Sequence, residues 1–143
     1  MDNLRSSTLN CKGLSDEKKR RDVFNWLRQK KLDIYCLQEV HINNSQTEQV
    51  RWESEWGYKT IFSILDSSKC GIAILLNKTF ENKIHSIISD SFGRYVIIDN
   101  SIQNRRVTLV SLYGPNSDSP DFFTILKEII CSNDLQNNYY NVW

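Results

Sequence analysis

The chain has 143 residues, 40% of them hydrophobic and 24% charged, the proportions of one soluble globular domain. A formal net charge of +1 excludes a global basic field, so any nucleic acid would have to be held by local patches. Five glycines and two prolines exclude a long linker or disordered tract, and no apolar run reaches membrane-spanning length.

Leu4 to Asn10 reads as a short strand that ends at a turn, Cys11-Lys12-Gly13. Ser15 is the expected N-cap of the next element, with Asp16 and Glu17 where a helix dipole favours acids. That helix is expected to run to about Lys30, with Val23, Phe24, Trp26 and Leu27 on its inner face. Leu32 to Glu39 is the next strand, too short and apolar for a helix. The strand, helix, strand order predicts a crossover connection. Ser45-Gln46-Thr47-Glu48 fits a capping box and starts a short helix carrying Val50 and Trp52. Strand-like runs follow at Tyr58–Ile64, Gly71–Asn77, Ile84–Ser89, Tyr95–Ile102 and Val107–Tyr113. Asp99-Asn100 and Gln103-Asn104 are turn-forming residues and predict antiparallel hairpins. Ser119-Pro120-Asp121 starts a helix with Pro at its first position, and Phe122, Phe123, Ile125, Leu126, Ile129 and Ile130 are its apolar residues. Tyr139 to Trp143 begins one more strand. So many strands exceed one small sheet, and two packed sheets flanked by helices is the natural layering.

The four cysteines, Cys11, Cys36, Cys70 and Cys131, are widely spaced with no C-x-x-C, which argues against zinc. Cys36 and Cys70 lie in or beside apolar strand patterns, and the set reads as reduced thiols. The start, Met1-Asp2-Asn3-Leu4-Arg5-Ser6, has no apolar signal-peptide core. The expectation is an intracellular protein, nuclear or cytoplasmic, without a membrane partner.

The chemistry centres on Leu37-Gln38-Glu39-Val40-His41. A carboxylate where a buried strand emerges is poorly placed for packing and well placed for a divalent cation. Mg²⁺ takes hard oxygen ligands and often needs only one or two carboxylates, with water and phosphate completing its shell. The plainer reading is a solvated carboxylate just past a strand. Asn10 ends the first strand. It is either a turn residue or an amide that holds Glu39 toward a metal. If the first two strands are neighbours, both side chains emerge at one sheet edge. Leu112-Tyr113-Gly114-Pro115-Asn116 delivers a Tyr to a turn. A Tyr hydroxyl can donate to a phosphate oxygen, and Asn116 can contact one too, although a packed aromatic at a strand end is the default. His41 and His85 have no visible partner. Lys12, Arg20 and Arg21 are the candidate nucleic-acid contacts, the last two from the run Lys18-Lys19-Arg20-Arg21 that could equally be a solvated helix face, with Arg105-Arg106 a weaker second patch.

Taken in order, Thr8-Leu9-Asn10-Cys11-Lys12-Gly13-Leu14, Cys36-Leu37-Gln38-Glu39-Val40-His41, Gly71-Ile72-Ala73-Ile74-Leu75 and Leu112-Tyr113-Gly114-Pro115-Asn116 resemble the endonuclease/exonuclease/phosphatase superfamily. The flavour is that of the apurinic-type endonuclease domain of LINE-type (non-LTR) retrotransposons, and the resemblance runs from about Ser7 to Trp143. It implies an α/β fold, a truncated four-layered α/β/β/α sandwich with two mixed β-sheets (DNase I-like), in a single domain over 1–143. It implies a catalytic set of Asn10, Glu39, Tyr113 and Asn116, with Glu39 the Mg²⁺ (or Mn²⁺) ligand, and metal-assisted hydrolysis of a phosphodiester in DNA. In an intact element a reverse transcriptase domain would follow. The family continues with Gly-Asp-Phe-Asn and a Ser-Asp-His-type run that these residues do not contain. The expectation is therefore an incomplete, marginally stable and inactive copy. The alternatives are a non-catalytic nucleic-acid-binding fragment, a functionless decayed copy, or another phosphatase or phosphodiesterase of the superfamily.

Overall fold

A computed structural model describes residues 4–43, 45–64, 71–113, 120–135 and 138–142. The chain order is β1 (Ser6–Asn10), α1 (Glu17–Lys30), β2 (Ile34–Gln38), α2 (Gln46–Trp56), β3 (Thr60–Ser63), β4 (Ile72–Leu76), β5 (Lys83–Ser89), β6 (Tyr95–Ile102), β7 (Arg105–Leu112), α3 (Pro120–Ser132) and β8 (Tyr139–Val142). The strands form two sheets of four, ordered β1-β2-β4-β3 and β5-β6-β7-β8. Each is mixed. β1 runs parallel to β2 and β7 parallel to β8, while the other neighbours are antiparallel.

The strand period of two explains the layering. Along β2, Tyr35 and Leu37 face α1 and α2, where Phe24, Leu27, Trp52 and Trp56 meet them. Ile34 and Cys36 face the other way, onto Ile72, Ile74, Val96, Ile98, Val107 and Leu109 between the sheets. Tyr95, Ile97 and Val110 turn outward under Phe122 and Leu126 of α3. Both faces of β2 and β4 are covered, so these strands read as continuous apolar runs. The result is the four-layered α/β/β/α sandwich with two mixed sheets.

Several local expectations shift. Asp16, not Ser15, caps α1 and accepts from the Lys19 amide. Trp26 leaves the inner face: it is 47% exposed with the Lys30 ammonium 4.6 Å from its ring centroid. Phe24 and Leu27 take the helix contacts instead, joined by the buried stem of Arg20. Gly57 caps α2 in the left-handed region, so the following strand starts at Thr60 rather than Tyr58. The β6–β7 hairpin turns on Gln103 and Asn104, with φ of 51° and 63°, the positive pair of a type I′ turn. Asp99 and Asn100 do not turn. They lie inside β6, where Asp99 holds Arg106 of β7 in a two-pronged ion pair at 2.9 and 2.7 Å. Among the cysteines, Cys11 and Cys36 are buried free thiols and Cys131 is exposed, while Cys70 lies outside the described residues. No described helix is long and apolar enough to cross a membrane.

Candidate active site

The parallel pairing of β1 and β2 sets Asn10 beside Gln38, so both strands release their chains at one sheet edge. The ladder continues past the strands. Cys11, Gly13 and Leu14 amides donate to the carbonyls of Gln38, Glu39 and Val40 at 2.8, 2.7 and 2.8 Å. Both loops are tightly wound: Lys12, Glu39 and His41 all sit in the left-handed region, with φ of 50°, 53° and 51°. Each non-glycine residue held there costs roughly 1 kcal/mol, a strain that gathers where geometry is over-determined.

The second sheet supplies the other half. Tyr113 follows β7, its amide fixed by the Arg94 carbonyl at 2.7 Å. Its hydroxyl donates to Glu39 Oε1 at 2.5 Å. One residue earlier in each strand, Gln38 Nε2 donates to the Leu112 carbonyl at 2.5 Å. The hydrogen bond from Tyr113 holds the Glu39 carboxyl below its ordinary value. The Asn10 amide adds to this, and His41 and Lys12 contribute weaker electrostatic pulls. Asn10 Oδ1 meanwhile accepts from the Lys12 amide at 3.2 Å, which fixes the asparagine. Glu39, Asn10 and Tyr113 thus meet at one point. Asn116 lies outside the described residues.

The basic run fares differently. Arg20 is 1% exposed, so it is not available to a phosphate backbone. Its guanidinium grips Glu55 of α2 at 2.5 and 2.8 Å and donates to the Leu14 and Ser15 carbonyls at 2.9 and 3.2 Å. An arginine fork matches a carboxylate and two carbonyls better than any apolar side chain could at this helix junction. Arg21 is exposed but paired with Glu17 at 3.0 Å. Lys19 donates to the Cys11 carbonyl at 2.8 Å and so pins the loop that carries Lys12. Lys12 itself is exposed beside Glu39. Sequence reasoning gave Gln38 no role of its own and read Lys19 only as part of the basic run. A polar side chain ending a strand covered on both faces was the signal for Gln38. For Lys19 there was none, because its partner is backbone.

Among the described residues no three His, Cys, Asp or Glu side chains gather as a metal cage. The Asn10 amide and the Tyr113 hydroxyl both donate to the Glu39 carboxylate, so a hard cation here would take one carboxylate from these residues and keep most of its own water.

A family model described as "Endonuclease/Exonuclease/phosphatase family" matches residues 3–139. The chain belongs to the endonuclease/exonuclease/phosphatase family. Its sequence is similar to the transposon TX1 uncharacterized 149 kDa protein of Xenopus laevis, 27% identical over 114 residues that make up 80% of this chain and 9% of that one. Its structure is similar to the 3′ phosphatase NExo of Neisseria bound to a product DNA hairpin, with a TM-score of 0.69 at 18% identity over 98% of this chain and 56% of that one. An AP endonuclease of Archaeoglobus fulgidus aligns with a TM-score of 0.58 at 20% identity, over 89% of this chain and 48% of that one. The D. rerio TDP2 complexed with a single-strand DNA product gives 0.60 at 16% identity, over 97% and 58%. These likenesses establish the DNase I-like fold. The chain spans about half the length of these solved structures and a small fraction of the transposon protein.

Proposed function

We propose that the chain carries the metal-holding half of a DNA endonuclease site of the kind found in non-LTR retrotransposons. The meeting of Glu39, Asn10 and Tyr113 across two sheets supports this reading best. Glu39 would hold Mg²⁺ or Mn²⁺, which when bound polarises a phosphodiester and offsets the charge developing on it. Asn10 orients the carboxylate. Tyr113 donates a proton to Glu39 in a hydrogen bond and, with a phosphate in place, can turn the same hydroxyl toward a non-bridging oxygen. Asn116, Lys12 and Arg21 complete the proposed phosphate contacts, and an intact element would continue into a reverse transcriptase.

These 143 residues contain no Gly-Asp-Phe-Asn and no Ser-Asp-His run. Loss of the group that activates the nucleophile alone removes about 10²–10⁴-fold in rate. Tested by themselves, they are expected to bind metal and DNA without turning DNA over. The test is Mn²⁺ titration by electron paramagnetic resonance, paired with nicking of supercoiled plasmid. Glu39→Ala should abolish Mn²⁺ binding and leave the fold intact by circular dichroism. Unchanged Mn²⁺ affinity in that variant would refute the metal site. Plasmid nicking by the purified chain that vanishes in Glu39→Ala would overturn the inactivity and leave an enzyme.

A further inference from the structure

The interior between the sheets is mostly apolar, built from Ile34, Cys36, Ile72, Ile74, Val96 and Leu109 among others, with the Cys36 thiol against Ser111 and, farther along, the Ser63 hydroxyl donating to the Asp90 carbonyl at 2.6 Å. Apolar contacts of this kind are non-directional. They hold two sheets about 10 Å apart without fixing how one strand end sits over another. A bond between Tyr113 on one sheet and Glu39 on the other needs a definite offset, because hydrogen bonds weaken steeply with angle and distance.

One directional contact stands immediately behind that bond. Gln38 precedes Glu39 and Leu112 precedes Tyr113, and the Gln38 side-chain amide donates to the Leu112 carbonyl. The Gln38–Leu112 and Tyr113–Glu39 bonds are therefore successive rungs of one ladder, the inner from side chain to backbone and the outer from side chain to side chain. Gln38 is itself registered on both sides, opposite Asn10 of β1 and Ile72 of β4. Leu112 is registered opposite Tyr95 of β6. The inner rung thus joins two stiff ladders.

We infer that Gln38 is the positioning residue of this site: by tying the end of β2 to the end of β7 it sets the offset at which the Tyr113 hydroxyl meets the Glu39 carboxylate. Its metal-binding consequence rests on the function proposed above. The Tyr113–Glu39 geometry does not. A glutamine that only satisfied a buried carbonyl would affect overall stability and nothing specific to Tyr113.

The test uses Gln38→Met, which keeps length and volume and loses the donor. Tyrosine-labelled protein reports the phenol carbon of Tyr113 by nuclear magnetic resonance. Its shift in Gln38→Met should move in the same direction as in Glu39→Ala. Mn²⁺ affinity should fall by roughly ten- to a hundredfold, the usual loss when a ligand's supporting partner is removed. Tyr113→Phe should lower Mn²⁺ affinity too, and Gln38→Met placed on Tyr113→Phe should lower it no further, because one geometry is lost only once. Additive losses, or an unmoved Tyr113 signal, would overturn the inference. If Gln38→Met does not fold, the wild-type protein decides: a scalar coupling between Gln38 Nε2 and the Leu112 carbonyl is expected, and its absence overturns the proposal. A wild-type chain that fails to bind Mn²⁺ refutes the proposed function instead, and the Tyr113 signal still judges Gln38.

Discussion

Arg20→Met should destabilise the chain by about 3 kcal/mol and leave the proposed DNA binding of the folded protein unchanged. The guanidinium is 1% exposed and makes two bonds to Glu55 and two to backbone carbonyls of the α1 approach. Removing one partner of a buried pair typically costs about 3–5 kcal/mol, because the other charge is stranded. Here the low end applies, since the Glu55 and Glu48 side chains keep 25% and 14% of their exposure and can draw in water. For a domain of this size that corresponds to a fall of roughly 10 °C in Tm. Burial of the methionine stem against Trp52 recovers only the packing share. Urea unfolding followed by tryptophan fluorescence measures the loss, and fluorescence anisotropy with a labelled duplex measures binding below the transition. The pair also sets an acid limit. The hydrogen bond from Arg20 chiefly holds the Glu55 carboxyl below its ordinary value. Its stabilisation is present above the ordinary carboxylate range and is lost as pH falls through the lowered value. Arg20→Met should remove that part of the acid dependence. An unchanged urea midpoint together with weaker DNA binding would refute the reasoning and return Arg20 to the nucleic-acid surface.

Three further outcomes follow from the site and its surroundings. Glu39 is held below its ordinary value first by Tyr113, so Mn²⁺ binding should persist as pH falls until that lowered value is crossed, and Tyr113→Phe should move the loss to higher pH; identical pH profiles by paramagnetic titration would count against the hydrogen bond. Gly93 has φ +73°, and a Cβ there would sit 3.1 Å from the Gly71 backbone, which in turn receives the Val40 amide beside Glu39. Gly93→Ala should therefore cost roughly 2 kcal/mol in urea unfolding, and a neutral effect would show that this close approach is soft. Burial pushes the Cys11 and Cys36 thiols up to about 12, while Cys131 is exposed, so iodoacetamide should modify Cys131 roughly a hundredfold faster or more by mass spectrometry; comparable rates would mean the core opens readily.

The order of elements was legible because helices and strands write their periods locally. The capping box at Ser45, the turn pair Gln103-Asn104 and the apolar run before Glu39 each identify their element from a few adjacent residues. The crossover from β1 to β2 also follows from local order, and it places Asn10 and Glu39 at one edge. The resemblance to the family rests on the same short runs. Tertiary structure decided the rest. Asp99 and Asn100 have turn chemistry, yet the cross-strand pair with Arg106 keeps them inside β6. Arg20 and Arg21 look alike in sequence, one helical step of about 100° apart. That step buries the first under α2 and leaves the second in solvent. Trp26 reads as core by composition, and the same rotation turns it outward. Tyr113 is 74 residues from Glu39, and only the stacking of one sheet on the other brings its hydroxyl to that carboxylate. Local patterns fix what each segment is, because backbone periods and capping act over a few residues. Which side chains share a site depends on layer spacing and strand offset, which no single segment encodes.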